Sequence, residues 1–469
     1  MSEPIPDLII GSGPTGYAAA LALADGGSPS VVMDFGEEPA SSASPNRSIA
    51  SKPDPRSARA LSHPRSLIAT AGTDPLPLSS ARGGLSLIWG AAVLERSAHD
   101  CPELEPVFPG IDDGYALLRR HIHLAGDRDR LSRRFPWPEG TPSVPSSQRF
   151  AEIRRAAREV NDAEILVGGT RVAIESNACT RCGLCLAGCP DGLFFDARQG
   201  LESLVGAGTV SFRPGPALGL RAVPGGAVVQ TPHGEVHARR VYLAAGPIGT
   251  PALLQRSGLA PATLEVQDSA VFYVPIINWN AAHGDEGEYT AAQLLLSARS
   301  RGDADFTLAL YESNPDFRGR LARVLRVPEQ MLPFPRWFRE RINAGIGFLS
   351  PERSGTLTLR YTAGRTWVEP RQHSRSRRAA AETTRRAGAA LRALRLHPIS
   401  SAVMVPPPGV GFHSGGALPV GGDLVGWDGA LRAAPAIRIV DATALPRIWA
   451  GSHTYTAMAN AVRIVRAAT

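Results

Sequence analysis

Four of the five cysteines in this chain fall within eleven residues, as Cys179-x2-Cys182-x2-Cys185-x3-Cys189, with Pro190 directly after the last. Thiolates at these intervals are the ligand run of an iron–sulfur cluster, a far narrower signal than one Cys-x2-Cys pair. The first expectation is a four-iron, four-sulfur (4Fe-4S) cluster. Structural zinc on the same sulfurs is a second reading, and a metal-free remnant a third. In two-cluster ferredoxins the fourth cysteine of such a run serves the other cluster, and too few cysteines remain here for two. Either Cys189 folds back onto the same cluster, or Cys101 completes it, or the cluster holds three irons. Gly188 and Pro190 suit the sharp turn that the first option requires.

A second constellation is made of glycine. Gly11, Gly13 and Gly16 stand between an apolar run, Leu8 to Ile10, and an Ala/Leu-rich stretch, Tyr17 to Ala24. Strand, Gly-x-Gly-x-x-Gly turn and helix form the fingerprint of a dinucleotide site. The first glycine makes the turn, and the second lets the backbone approach a pyrophosphate at the helix N-terminus. The third lets the helix pack on the strand. Asp34 closes the next β-branched run, where an acid would accept from a ribose hydroxyl. The turn alone does not separate FAD from NAD.

The elements that must position these residues are legible in outline. Helical spacing runs from Arg149 to Val160, and short strands are expected at Thr209 to Phe212 and Ala227 to Gln230. The run Arg240 to Gly246 reads as a buried strand ending in glycine. Glu37 to Ser80, rich in Ser, Pro and Arg, reads as a surface excursion. From about residue 260 the character changes to short strands, such as Ala270 to Ile277 and Thr356 to Tyr361. Arg-rich helical pieces such as Ala379 to Leu396 lie among them. A strand at Ile437 to Val440 and a helix from about Tyr455 to Ala467 close the chain. The apolar, aromatic and basic stretch Gln330 to Arg339 reads as buried against other parts or a partner, with docking on a membrane surface as the alternative.

Length and composition fit a folded, two-domain protein: 469 residues, 43% hydrophobic and 20% charged, with 48 Gly and 40 Pro for turns and loops. The net charge of +7 is carried by arginines spread along the chain, with Lys52 the one lysine, so a nucleic-acid partner is not expected. No run reaches the roughly 18 to 20 apolar residues of a membrane span. Met1 to Asp7 carries no basic leader or cleavage site, so a cytoplasmic location is expected and a disulfide framework is not.

Three further segments carry a family resemblance. They are Gly83-Gly84-Leu85-Ser86 with Trp89-Gly90, Leu243 to Pro251 with Ser257-Gly258, and a C-terminal stretch. That stretch contains Phe412-His413-Ser414-Gly415-Gly416, Asp441-Ala442-Thr443 and Gly451-Ser452-His453-Thr454. Together with the glycine turn they resemble the glucose–methanol–choline (GMC) oxidoreductases, and the cysteine run is similar to that of the iron–sulfur-containing, sugar-oxidising subgroup. The resemblance covers residues 5 to 36, 81 to 95, 200 to 258 and 408 to 469.

It implies an α/β fold in which a Rossmann-like FAD-binding domain (1–259 and 405–469, with the Cys-rich insertion at 175–195) is interleaved with a substrate domain. The latter, 260–404, would be an α+β unit on an antiparallel sheet. It implies FAD as cofactor, with His413 and His453 flanking the flavin as base and orienting partner, a division it leaves open in detail. Gly83, Gly84 and Ser86 would lie along the flavin, Asp441 would position the ribityl chain or pyrophosphate, and Gly246 and Ala442 would also contact the cofactor. Leu218 would give the adenine a backbone contact, and Thr454 would open a helix aimed at the pyrimidine ring.

The expected activity is oxidation of an alcohol, best a sugar, sugar derivative or cyclitol. The cluster would relay electrons to an external acceptor or redox partner protein, which makes a dehydrogenase. A redox-neutral lyase or isomerase on the same scaffold and a non-catalytic flavin and iron–sulfur electron-transfer subunit are the rival readings.

Overall fold

The computed structural model describes residues 3–36, 67–70, 78–183, 185, 189–280, 289–298, 305–312 and 335–469. Most of the Glu37 to Ser80 excursion and the first half of Gln330 to Arg339 therefore lie outside the described residues. The fold is mixed α/β, with a parallel-centred sheet, an antiparallel six-stranded one and a smaller mixed one, as the resemblance implies.

An eight-stranded sheet runs in the order Ala430–Leu431, Ala434–Ile439, Gly234–Leu243, Ile5–Ile10, Ser30–Asp34, Val210–Pro214. The hairpin Gly219–Val223/Gly226–Thr231 is attached antiparallel to Gly234–Leu243. Four central strands are buried apolar runs paired in parallel, as expected for strands covered on both faces. Their register places Ile10 beside Met33 and Leu243, and Leu243 beside Ile439. Four loops therefore leave the carboxyl edge at one level, the place where open α/β sheets bind ligands. Helix Pro14–Asp25 covers the sheet, and helix Thr454–Arg466 packs on it and on helix Phe108–His121.

The six-stranded antiparallel sheet has the order Leu396–Pro398, Val271–Asn278, Ile342–Leu349, Phe306–Tyr311, Ala292–Ala298, Ile165–Gly169. Its last strand comes from well before residue 260, so this sheet is assembled from two separated stretches of chain. Period-two alternation gives it two faces. Phe306, Leu308 and Leu310 turn into a core with helix Ser376–Ala393, through Ala380, Ala387 and Leu391. That helix leaves Arg377, Arg378, Arg385 and Arg392 exposed, the solvated basic face its spacing foretells. A five-stranded sheet joins the two through Ser414–Gly415, Thr263–Asp268, Thr356–Thr362, Arg365–Arg371 and Ile68–Thr70. The last of these puts one piece of the expected surface excursion into a sheet. Among the described residues no helix is long and apolar enough to cross a membrane.

The contact of helix Phe108–His121 with the closing helix depends on Gly114. A Cβ there would lie 2.3 Å from the carbonyl oxygen of Ala459. Gly114→Ala is expected to lower stability by about 1–3 kcal/mol through overpacking, seen as a lower thermal midpoint. An unchanged midpoint would show that the helices separate freely.

Candidate active site

A cavity of about 410 Å³ opens at the carboxyl edge of the eight-stranded sheet and runs beneath the six-stranded one. Gly11, Ser12, Gly13, Pro14 and Thr15 form one wall. Gly11 has φ +109°, and a Cβ on it would meet the Ala244 carbonyl at 2.4 Å, so only glycine makes this turn. No side chain caps helix Pro14–Asp25, which leaves its first N–H groups available beside the cavity. Gly16 does not line the space. A Cβ there would sit 2.0 Å from the Gly11 carbonyl, so it serves helix–strand packing, the part the motif assigns it.

Asp34 lines the cavity, but its carboxylate is already engaged. Oδ2 accepts from the Ser12 amide at 2.7 Å and from the Ser12 hydroxyl, and Oδ1 accepts from the Phe35 amide at 2.6 Å. Burial raises its pKa against these bonds. The Ser12 hydroxyl in turn accepts from the Gly83 amide at 3.0 Å, which ties the second glycine loop to the first. Gly84 lines the cavity with φ +59°, its Cβ position 3.2 Å from the Gly13 Cα, whereas Gly83 stands behind it. Ser86 donates to the Gly83 carbonyl at 2.6 Å and accepts from the Ala197 amide at 2.9 Å, fixing that loop.

Gly246, Asp441 and Ala442 also border the space. Asp441 straps two sheet-edge loops, accepting from the Gly246 amide at 2.8 Å and the Thr443 amide at 2.9 Å. Leu218 departs from expectation. It does not line the cavity, and its amide is spent on the Gln230 carbonyl at 2.7 Å, because it extends the Gly219–Val223 hairpin. Its neighbours Pro216 and Ala217 border the space instead.

The structure brings His413 and His453 together, with ring centroids 5.7 Å apart, both on the cavity wall. Phe412, just before His413, has φ +57°, an uncommon conformation for a bulky residue, and Ser269 donates to the His413 carbonyl at 2.9 Å. Ser414 donates to the buried Asp268 at 2.9 Å, locking the same loop. Gly451 has φ +94° and abuts the Thr307 hydroxyl, where a Cβ would lie 2.4 Å away. His453 occupies the N-cap position of helix Thr454–Arg466 without a side-chain capping bond, and Thr454 borders the cavity.

Burial pulls the His413 pKa down to about 3, helped by His453 and Arg96. The His453 pKa is lowered to about 4, chiefly by burial and against its bond to the Ser414 carbonyl. His453 Nε2 lies 3.1 Å from that carbonyl. A carbonyl only accepts, so in the neutral ring Nε2 carries the proton and Nδ1 keeps the lone pair. Neither Nδ1 has a hydrogen-bond partner among the described residues.

Sequence reasoning missed a ladder of buried charge behind this pair. Arg96 donates to Asp100 at 2.6 Å and to the Ala450 carbonyl at 3.4 Å, and its guanidinium lies over the Trp449 ring at 4.8 Å. Asp100 accepts from Arg134 at 3.1 Å, and Arg134 makes a two-pronged pair with Asp305 at 2.7 and 2.8 Å. Burial pushes Asp100 upward, yet the two guanidinium groups prevail and hold its pKa below the usual value. Also missed was the sheet face over the histidines, where Phe348 packs on His413 with centroids 4.3 Å apart. No local motif marks either feature.

The cysteines behave differently. Cys182 is exposed and Cys179, Cys185 and Cys189 are partly buried. Burial raises the Cys185 pKa against hydrogen bonds from Thr290. Among the described residues, which include all four cysteines, no group of three or more His, Cys, Asp or Glu side chains is arranged to hold a metal ion. The sulfurs are of the right type, but their arrangement does not form the ligand shell that the spacing foretells. Cys101, the other candidate ligand, is buried apart in the apolar core. FAD fits better: the uncapped helix, the Gly11 turn that admits no Cβ, the open space beside Gly13 and the continuous cavity together make a cradle for a dinucleotide ending at two imidazoles.

No family model matches the chain, and no curated protein matches it. Among solved structures it is similar to pyridoxine 4-oxidase from "Mesorbium loti", with a TM-score of 0.61 and 18% identity over 99% of both chains. The likeness establishes the fold expected from the sequence.

The lowered proton affinity of His413 and His453 makes stability depend on pH. Their folded pKa values lie near 3 and 4 and their unfolded values near 6.5. Between these limits the unfolded chain binds more protons, so stability falls as pH drops. The expected slope is up to about 1.4 kcal/mol per pH unit for each histidine. Denaturation midpoints at descending pH should show it, and His413→Asn should flatten it. An unaltered slope would mean that His413 is solvated.

Proposed function

We propose that this chain is an FAD-dependent oxidoreductase that converts an alcohol to a carbonyl compound, with His413 as the base. One observation carries the reading: two neutral imidazoles, His453 buried and His413 partly buried, stand at the end of a cavity that begins on a glycine-rich turn and an uncapped helix. FAD, held along Gly11, Gly13, Gly84 and Asp441, would supply the two-electron acceptor for the carbinol hydride. His413 takes the hydroxyl proton. Its low proton affinity when empty keeps it unprotonated and ready. His453 has its Nε2 proton committed to Ser414, so it orients rather than accepts at that nitrogen. Helix Thr454–Arg466 presents its uncapped N-terminus to the same space and favours negative charge developing there.

No electron step runs through the four cysteines. The substrate named here is an alcohol. A sugar rested on the cysteine-bearing subgroup alone.

Anaerobic mixing of the flavin-loaded protein with alcohols tests the reading. Bleaching of the flavin's visible absorbance is expected, and His413→Ala should slow it about 10²- to 10⁴-fold. No bleaching with any alcohol, alongside carbonyl addition or elimination chemistry, would favour the redox-neutral rival.

A further inference from the structure

We infer that the alcohol oxidised here has an apolar, alkyl or aryl body with few polar groups, and is not a polyhydroxylated sugar. The inference rests on the oxidation reading and specifies its substrate. Its basis is the face that the six-stranded sheet turns toward the histidines. On strand Phe306–Tyr311 the alternate residues Thr307, Ala309 and Tyr311 line the cavity, while Phe306, Leu308 and Leu310 enter the core behind. Cross-strand register sets Phe348 opposite Thr307 and Leu295 opposite Ala309, and both also line it.

This patch stands directly over the reacting end. Phe348 packs on His413, and Thr307 presses on Gly451, two residues before His453. It offers two hydroxyls, from Thr307 and Tyr311, and no charge. Among the described residues each charged side chain bordering the cavity already has a protein partner, although two nitrogens of Arg171 and one of Arg256 are left without one. Arg171 turns to Ser132 at 2.9 Å and Asp129 at 3.4 Å, and Asp34, Arg256 and Asp441 bond to backbone groups at the sheet edge. A sugar would bury several hydroxyls here beyond the one that reacts. Each left without a partner weakens binding roughly tenfold or more. An aryl or alkyl carbinol loses nothing of that kind and gains from removing apolar surface from water.

Anaerobic flavin reduction, followed by stopped flow on the flavin-loaded protein, separates the classes. The probes are benzyl alcohol and 1-hexanol against glucose and myo-inositol. Values of kcat/KM at least about 100-fold higher are expected for the first pair, two or more unpartnered hydroxyls at tenfold each. Ala309→Phe, which fills the patch, should raise KM for benzyl alcohol by about tenfold or more with flavin content retained, the loss of a well-fitted apolar contact. Reduction by the sugar or cyclitol at equal or greater kcat/KM overturns the inference while leaving alcohol oxidation standing. An unmoved KM in Ala309→Phe also overturns it. Bleaching by none of the four overturns both readings together.

Discussion

Four buried side chains of alternating charge, Arg96, Asp100, Arg134 and Asp305, hold the two halves of the candidate site against each other. Their side chains are at most 5% exposed. Charges this deep persist only when each is matched, and removing one member of such a set costs about 3–5 kcal/mol. Asp305 stands at the head of the strand that carries Thr307, Ala309 and Tyr311, and Arg96 grips Trp449 and Ala450 just ahead of His453. The ladder therefore sets the height of the apolar sheet face above the imidazoles. It also places a positive charge behind both rings, which together with their burial keeps them unprotonated.

The enclosure of the two rings follows from packing and in turn determines their chemistry. Phe348 lies on one ring, and the His453 Nε2 proton is spent on a main-chain carbonyl. An imidazole in such surroundings resists protonation until a substrate proton is delivered to it. The same enclosure explains why strain is tolerated nearby. Phe412 and Gly451 hold left-handed backbone angles on the two sides of the pair, each over-determined by neighbours such as Ser269 and Thr307.

The cysteine run shows the limit of spacing as an argument. Its intervals fit a cluster, yet one thiol is exposed and three are half-buried, and among the described residues they form no metal-holding group. Cys185 instead settles against Thr290, whose hydroxyl donates to the Gly183 carbonyl at 3.0 Å. Ligand geometry depends on how the segment folds back on itself, and intervals along the chain do not contain that information.

What the amino-acid order determined by itself is local. The strand–turn–helix at Gly11 to Gly16, the glycine loop at Gly83 and Gly84, and the histidines within their motifs all rest on residues a few positions apart. Backbone sterics and hydrogen-bonding reach decide such arrangements without help from the rest of the chain. Tertiary structure alone decided what faces the histidines, because those contacts join distant residues: Arg134 to Asp305 across 171 positions, and Arg96 to Ala450 across 354. The same holds for Leu218, withdrawn from the cavity by a hairpin bond to Gln230. It holds for the face of Thr307, Ala309 and Tyr311, since alternation names two faces of a strand and only packing chooses which one is turned to the site.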